Sequence, residues 1–338
     1  MKRVVHLGPS ESKGGMATVI ENLVNNTPDG WVAEVICTHS ENTLAMVGIW
    51  RKALRELSKG LRESRYDVVH IHVTHSISWW RKLSFINLCE KFGVPMVVHI
   101  HSGKFDIFCS GFAGRSVKKV LSKKNLLTVV LEERWKRKLI DWIPTESEVI
   151  RNFSYPIPRS KKSPGRKLKL LVLSRNSPIK RHDFAIDIAE CINNMGREAS
   201  ISITGVGTRM EDYSRGFEIR YCGWVSEHER RTLISESDFL LSPSRYEGSS
   251  MSVIESMVSG LPCLVSSASR ETIGVNEMII EEDDPKLWAK RILEISNEPI
   301  YSKTSNMMAE RAMIYSPTEN KERISEIYEN LVGSHDGN

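Results

Sequence analysis

Short runs of Val, Ile and Leu alternate with longer stretches in which apolar residues return every three or four positions, and this alternation fills the chain twice over. Continuous apolar runs of that length predict strands buried on both faces, and the periodic stretches predict the helices that cover them. In the front half the strands fall at 3–8, 32–38, 67–73, 96–101, 126–131 and 148–151; in the back half they fall at 169–174, 200–205, 219–223, 238–242, 262–266 and 278–281. The pattern predicts an α/β protein of two Rossmann-like domains, 1–153 and 167–316, each a doubly wound parallel sheet. Residues 154–166 hold Pro156, Pro158 and Pro164 without apolar periodicity and read as a linker. The cleft between the two halves is the default place for a ligand. Beyond a helix at 285–296, the tail from about residue 305 is helical in two pieces broken at Tyr315-Ser316-Pro317. Its last piece, 318–331, is free to cap the first domain.

Composition narrows the class. The 338 residues suit two domains, and 40% hydrophobic with 26% charged residues is ordinary for a soluble globular chain. No run approaches the ~20 apolar residues of a membrane span. Met1-Lys2-Arg3 leads straight into a strand pattern and not into a leader, so the expected location is cytoplasmic. Cys37, Cys89, Cys109, Cys191, Cys222 and Cys263 lie too far apart for a zinc or redox pair and read as free thiols. The net charge of +5 divides unevenly: residues 1–166 carry 27 Lys and Arg against 15 Asp and Glu, or +12, which leaves −7 for the rest. A basic front half suits an anionic partner, such as a membrane surface or a lipid phosphate, and equally a solvated surface.

The richest chemistry lies in 242–262. This segment reads as a strand end, a loop with Glu247, Gly248 and Ser249, a helix opening at Ser250-Met251-Ser252 and carrying Glu255, and a stop at Gly260. Small residues at a helix start leave backbone N–H groups free for a phosphate. Glu247 and Glu255 are too far apart to act on one group, so one suits sugar hydroxyls and the other ribose hydroxyls, a carboxylate accepting two hydrogen bonds from a diol. From residues alone, a surface loop with an exposed helical Glu fits as well.

This segment resembles the Glu-x7-Glu signature of retaining glycosyltransferases of the GT-B fold, the large family numbered 4 that includes bacterial exopolysaccharide and O-antigen transferases. Five further pieces follow in that family's order: Gly14-Gly15, the strand Asp67 to His72, Val149-Ile150-Arg151-Asn152, Arg175 with Lys180, and the turn at Gly205 and Gly207. The resemblance implies that Glu247 holds the donor sugar as the leading catalytic residue and that His101 helps position the reacting atoms. It further implies that Arg175, Lys180, Gly205, Gly248, Ser249, Ser250, Met251, Ser252 and Glu255 hold a nucleotide-sugar, and that Gly14 and Gly15 form a phosphate or acceptor loop. Transfer is expected without a metal or other cofactor: two fixed cations offset the diphosphate, and the sequence holds no Asp-x-Asp ligand pair. The donor is expected to be a UDP-linked hexose or N-acetylhexosamine, and the acceptor a lipid-linked sugar or a polysaccharide. Two other readings stand beside it, a catalytically silent GT-B subunit that recruits a partner enzyme and a nucleotide-sugar epimerase of the same architecture.

Three positions depart from the family pattern: Phe153 and Arg181 where glycine is usual, and Ser249-Ser250 for the commoner Phe-Pro. His70, His75 and His99 read as structural, and His72 is left open. Helices near 114–124 and 133–142 are basic with apolar faces (Val117, Val120 and Leu121; Trp135, Leu139 and Trp142), which suits either packing on the sheet or lying on an anionic bilayer. We expect a peripheral association with the inner face of the cell membrane. No nucleic-acid partner is expected, since the basic segments hold no recognition helix, finger or stacking platform.

Overall fold

A computed structural model describes residues 1–9, 14–39, 43–143, 147–159 and 163–336. The chain folds as two compact units, Met1–Phe153 with Pro317–Asn338, and Ser154–Ser316.

The first unit runs β1 (Lys2–Gly8), α1 (Gly15–Asn25), β2 (Trp31–Cys37), α2 (Thr43–Arg62), β3 (Val68–Val73), α3 (Ile77–Lys91) and β4 (Met96–Ile100). It continues through α4 (Phe105–Phe108), a π turn (Cys109–Ala113), α5 (Gly114–Leu121), β5 (Leu126–Val130), α6 (Glu133–Lys138) and β6 (Ser147–Val149). The sheet order is β2-β1-β3-β4-β5-β6, and every pairing is parallel. The register sets His6 beside His70 and His72 beside His99. Alternate residues of a strand share a face, so His70 with His72, and His99 with His101, project to the same side. The opposite side carries Val69, Ile71, Val73 and Val98 into the core.

The second unit runs β7 (Leu168–Val172), a 3₁₀ turn (Pro178–Lys180), α7 (His182–Asn194), β8 (Ala199–Thr204), β9 (Met210–Asp212) and β10 (Ile219–Gly223). It continues through α8 (Glu227–Glu236), β11 (Phe239–Ser242), α9 (Met251–Val258), β12 (Cys263–Val265), α10 (Arg270–Ile273), α11 (Pro285–Ile295) and α12 (Ile300–Arg311). Its order is β12-β11-β7-β8-β10-β9, parallel except for β9. The edge strand β9 carries no apolar run and is built by backbone pairing alone, which is why the hydrophobic pattern misses it. The strand expected at 278–281 is corrected: a 3₁₀ turn (Asn276–Met278) takes up its start, and Ile279 makes one isolated bridge to Val265 of the three-residue β12.

Of the proposed linker, residues 160–162 lie outside the described residues. Ser154 to Arg159 are held on the second unit: Ile157 N–H donates to Ser259 Oγ at 3.2 Å, and Arg159 donates to the carbonyls of Gly260 and Ser237 and to Tyr301 Oη at 2.7, 3.1 and 2.7 Å. The last helix, α13 (Pro317–Asp336), belongs to the first unit. There Asn320 Nδ2 donates to the Arg151 carbonyl at 2.6 Å, and the Tyr328 ring packs against Trp31 with centroids 5.0 Å apart.

Candidate functional site

In the second unit the chain leaves β7 and β11, adjacent parallel strands, at their carboxyl ends, one toward α7 and the other toward α9. In open α/β sheets the strand order reverses at such a point and ligands gather there. One backbone bond ties the two loops, Arg245 N–H to the Ile179 carbonyl at 2.8 Å. Lys180, next to Ile179, and Glu247, two residues past Arg245, are thereby brought together: Lys180 Nζ donates to Glu247 Oε1 at 2.6 Å, both side chains largely buried.

Gly205 shapes the approach to Arg175. With φ of +72° it favours glycine, and a Cβ there would stand 2.4 Å from the Ser174 carbonyl oxygen and 2.5 Å from Arg175 Cα. The two loops are stitched by Asn176 N–H to the Gly205 carbonyl at 3.1 Å. Arg175 stays exposed and makes no ion pair among the described residues. Arg181 has φ of +56°, which accounts for a glycine being usual there in the family that the sequence resembles. Its guanidinium offsets part of that strain by lying 4.0 Å above the Phe184 ring and pairing with Asp283.

Ser249 and Ser250 are buried where α9 begins, and Ser250 Oγ lies 3.1 Å from Ser252 Oγ; Gly248, Met251 and Ser252 are half-buried. The first turn of α9 contains no acidic residue, so its amide end keeps its positive character. Glu255 is buried one turn along, with Oε1 3.0 Å from Arg230 Nη1 of α8. Burial pushes this carboxyl up to about 7, against the pull of Arg230 and with a further push from Glu227. Arg230 is absent from the sequence-based site: it sits in a polar, surface-like stretch whose Ser226–Glu229 capping box masks any other role.

In the first unit Gly14 precedes α1 with φ of +147°, and its carbonyl accepts from Ala17 N–H at 3.0 Å; Gly15 is exposed. His101 follows β4, and its Nε2 lies 2.8 Å from His72 Nδ1, while His72 Nε2 lies 3.0 Å from His6 Nδ1. A second file runs beside it: His99 Nδ1 stands 3.1 Å from His70 Nε2, and His70 Nδ1 stands 2.7 Å from Tyr328 Oη. His6, His70, His72 and His99 are buried and His101 is partly so. Burial holds all five neutral, His6 and His101 down at about 3 and the other three well below their usual value. Ring nitrogens of His6, His70 and His72, and of His72, His99 and His101, lie within 4.8 Å of one another, near enough to suggest a metal ion. The ring planes oppose that reading for the first of these sets. His70 and His72 are stacked only 8° from parallel at 4.5 Å, whereas a metal must lie near the plane of every imidazole that binds it.

The geometry thus brings Lys180 to Glu247 and Arg230 to Glu255 in the second unit, and builds a histidine layer in the first. Residues 167–298 match the family model described as glycosyl transferases group 1. The second unit is a group 1 glycosyltransferase domain. Along its length the chain is 22% identical to an uncharacterized 41.2 kDa protein in the cps region of Klebsiella pneumoniae, over 86% of this chain and 88% of that one. It is 23% identical to an Escherichia coli UDP-Gal:alpha-D-GlcNAc-diphosphoundecaprenol alpha-1,3-galactosyltransferase, over 83% of this chain and 80% of the relative. Its fold matches the sucrose-phosphate synthase of Thermosynechococcus elongatus with a TM-score of 0.77 at 13% identity, over 99% of this chain and 100% of that one. With two Rossmann-like α/β units in series, the glycosyltransferase has the GT-B fold.

Proposed function

We propose that this glycosyltransferase moves a hexose or N-acetylhexosamine from a UDP-sugar to a lipid-linked or polysaccharide acceptor, with retention and without a metal, in the assembly of a cell-surface glycan. The observation that carries the reading is the Lys180–Glu247 pair at the point where the strand order reverses, with the Glu255–Arg230 pair on the adjoining helix. The donor diphosphate takes Lys180 and Arg175 as counter-charges beside the amides of α9, and Glu247, released from Lys180, turns to the sugar hydroxyls. Glu255 accepts from the ribose diol through the oxygen that Arg230 leaves open. His101 keeps the role that the resemblance implies for it, helping to position the reacting atoms. Retention then follows from front-face attack: the acceptor oxygen bonds to the anomeric carbon as the sugar–phosphate bond breaks, and the departing phosphate takes the acceptor proton. The protein contributes position and charge stabilisation and no covalent nucleophile.

The donor and acceptor classes are supported by the name of the E. coli relative, and the cell-surface setting by the cps-region protein. The helix faces expected to meet a membrane are buried, and we move the proposed contact to another segment. Val117, Val120, Leu121, Trp135 and Leu139 are spent on the core of the first unit. Trp80 instead stacks on Phe112, centroids 5.9 Å apart, and meets Phe108 edge-on at 6.4 Å; Phe112 is 86% exposed. Exposed Arg115, Lys118 and Lys119 follow directly in the chain, and aromatic and cationic groups so close in sequence suit an anionic interface. No helix among the described residues is long and apolar enough to cross a membrane.

The test is transfer from labelled UDP-hexoses and UDP-N-acetylhexosamines to a polyprenyl-diphosphate-linked sugar in the presence of EDTA, with the anomeric configuration read by NMR. An α-linked product from the α-linked donor is expected. Inversion, or activity restored only by a divalent cation, overturns the mechanism.

A further inference from the structure

The five histidines form two separate files in one buried layer, and only the His6–His72–His101 file reaches a partly exposed ring. A neutral imidazole has one N–H and one lone pair. His72 lies between the other two, so it donates to one neighbour and accepts from the other. If His6 Nδ1 carries a hydrogen, then His72 Nε2 accepts, His72 Nδ1 donates, and His101 must hold its hydrogen on Nδ1. If His6 carries its hydrogen on Nε2, every bond reverses and His101 Nδ1 becomes an acceptor. A mixed arrangement sets two lone pairs or two hydrogens face to face at 2.8 or 3.0 Å inside the fold. His101 Nδ1 makes no hydrogen bond among the described residues, which leaves it as the nitrogen open to a ligand.

We propose that His6 and His72 are positioning residues that tie the tautomer of His101 to that of His6, so that the hydrogen-bonding polarity of His101 Nδ1 is set two rings away in the core of the first unit and reverses only if all three rings reverse together. Protonation cannot release the lock near neutral pH. The titratable groups in this layer are the five imidazoles of β1, β3 and β4 and the Tyr328 hydroxyl of α13; no carboxylate among the described residues contacts them to stabilise an imidazolium. The Tyr328–His70–His99 file is tied to the first by ring stacking, His6 on His70 at 4.8 Å, and by no hydrogen bond among the described residues, so it buttresses the layer without setting the polarity of His101. The kinetic part of this inference rests on the proposed role of His101 in transfer; the structural part does not.

The experiment is ¹⁵N NMR of the full-length protein labelled at histidine, with His101 assigned by its loss in His101→Gln. In the wild type, His101 is expected to show one protonated and one unprotonated nitrogen, unchanged from pH 6 to pH 8. His6→Leu removes the end of the file. His6→Asn keeps a polar group that either donates or accepts, and so guards against failure of the first variant to fold. In both, the two His101 nitrogens are expected to average, with kcat down about twofold if the tautomers become equally populated and UDP affinity unchanged. Averaged or titrating nitrogens in the wild type overturn the proposal, as does a single tautomer that persists in both variants. A joint shift of His72 and His101 on adding one equivalent of Zn²⁺ overturns it in favour of a metal site. An enzyme with the expected spectra but no transfer from UDP-sugars refutes the proposed function and leaves the tautomer lock standing.

Discussion

Replacing Arg230 by Met tests the electrostatics of the proposed nucleotide site most sharply, because it removes the cation that offsets the burial of Glu255 and leaves Glu255 in place. With Arg230 present the carboxyl sits at about 7. The guanidinium at 3.0 Å favours the carboxylate, so its loss raises the carboxyl further above its ordinary value. At pH 7.5 the ionised fraction then falls, and with it UDP affinity, which on the proposed contact needs the ionised form to accept from the ribose diol; removing an adjacent opposite charge from a buried carboxylate corresponds to a loss of about tenfold or more. At pH 9 the wild type is almost fully ionised and the variant recovers part of its ionised form, so the deficit shrinks. The sign is definite: affinity rises with pH through the pKa of Glu255, and the variant follows the same curve displaced to higher pH. Isothermal titration with UDP at pH 6.5, 7.5, 8.2 and 9.0 measures both curves. An equal loss at every pH refutes the linkage and returns Arg230 to a purely steric role; no loss at any pH removes Glu255 from the nucleotide.

Lys180→Met is expected to weaken UDP by about 10- to 100-fold while leaving uridine binding unchanged, since the lost charge-assisted bond is to the diphosphate; equal weakening of both ligands in parallel titrations contradicts that assignment. Phe112→Ser is expected to lower partition onto anionic liposomes about 30-fold, from about 2 kcal/mol of lost apolar transfer, with no change in Tm because the ring is 86% exposed. Sedimentation with vesicles checks it, and unchanged partition removes the aromatic edge from the membrane contact. Tyr328→Phe leaves His70 Nδ1 without its 2.7 Å partner and is expected to cost about 2 kcal/mol, read as a lowered midpoint in urea.

Most of the sheet framework was legible because a strand buried on both faces must be written in Val, Ile and Leu. Eleven of the twelve expected strands appear, within a residue or two at either end. The exceptions have local causes, a helical turn that takes up 276–278 and a polar edge strand at Met210–Asp212 whose pairing needs no apolar side chains. In the site, the proximity of Lys180 to Glu247 was only implicit, since 67 residues separate them and the Arg245–Ile179 backbone bond that joins their loops has no side-chain signature. The shared face of His99 and His101 follows from alternation along a strand. That His6 completes the file, and that Tyr328 closes the neighbouring one from the far end of the chain, depends on strand register and on where α13 docks. Phe112 looks like a core residue in Cys-Ser-Gly-Phe-Ala; the π turn at 109–113 is what turns it outward.

Thermal unfolding in EDTA with UDP, GDP and ADP, for the wild type and for Glu255→Ala, tests the central claim most directly. A nucleotide present at about a hundred times its Kd adds about 2.7 kcal/mol to the stability of the native state, a shift of several degrees. The account predicts that UDP produces this shift without any divalent cation and that Glu255→Ala abolishes it. Stabilisation by GDP or ADP in preference to UDP, a shift that appears only when a divalent metal is restored, or an undiminished response in Glu255→Ala would contradict it.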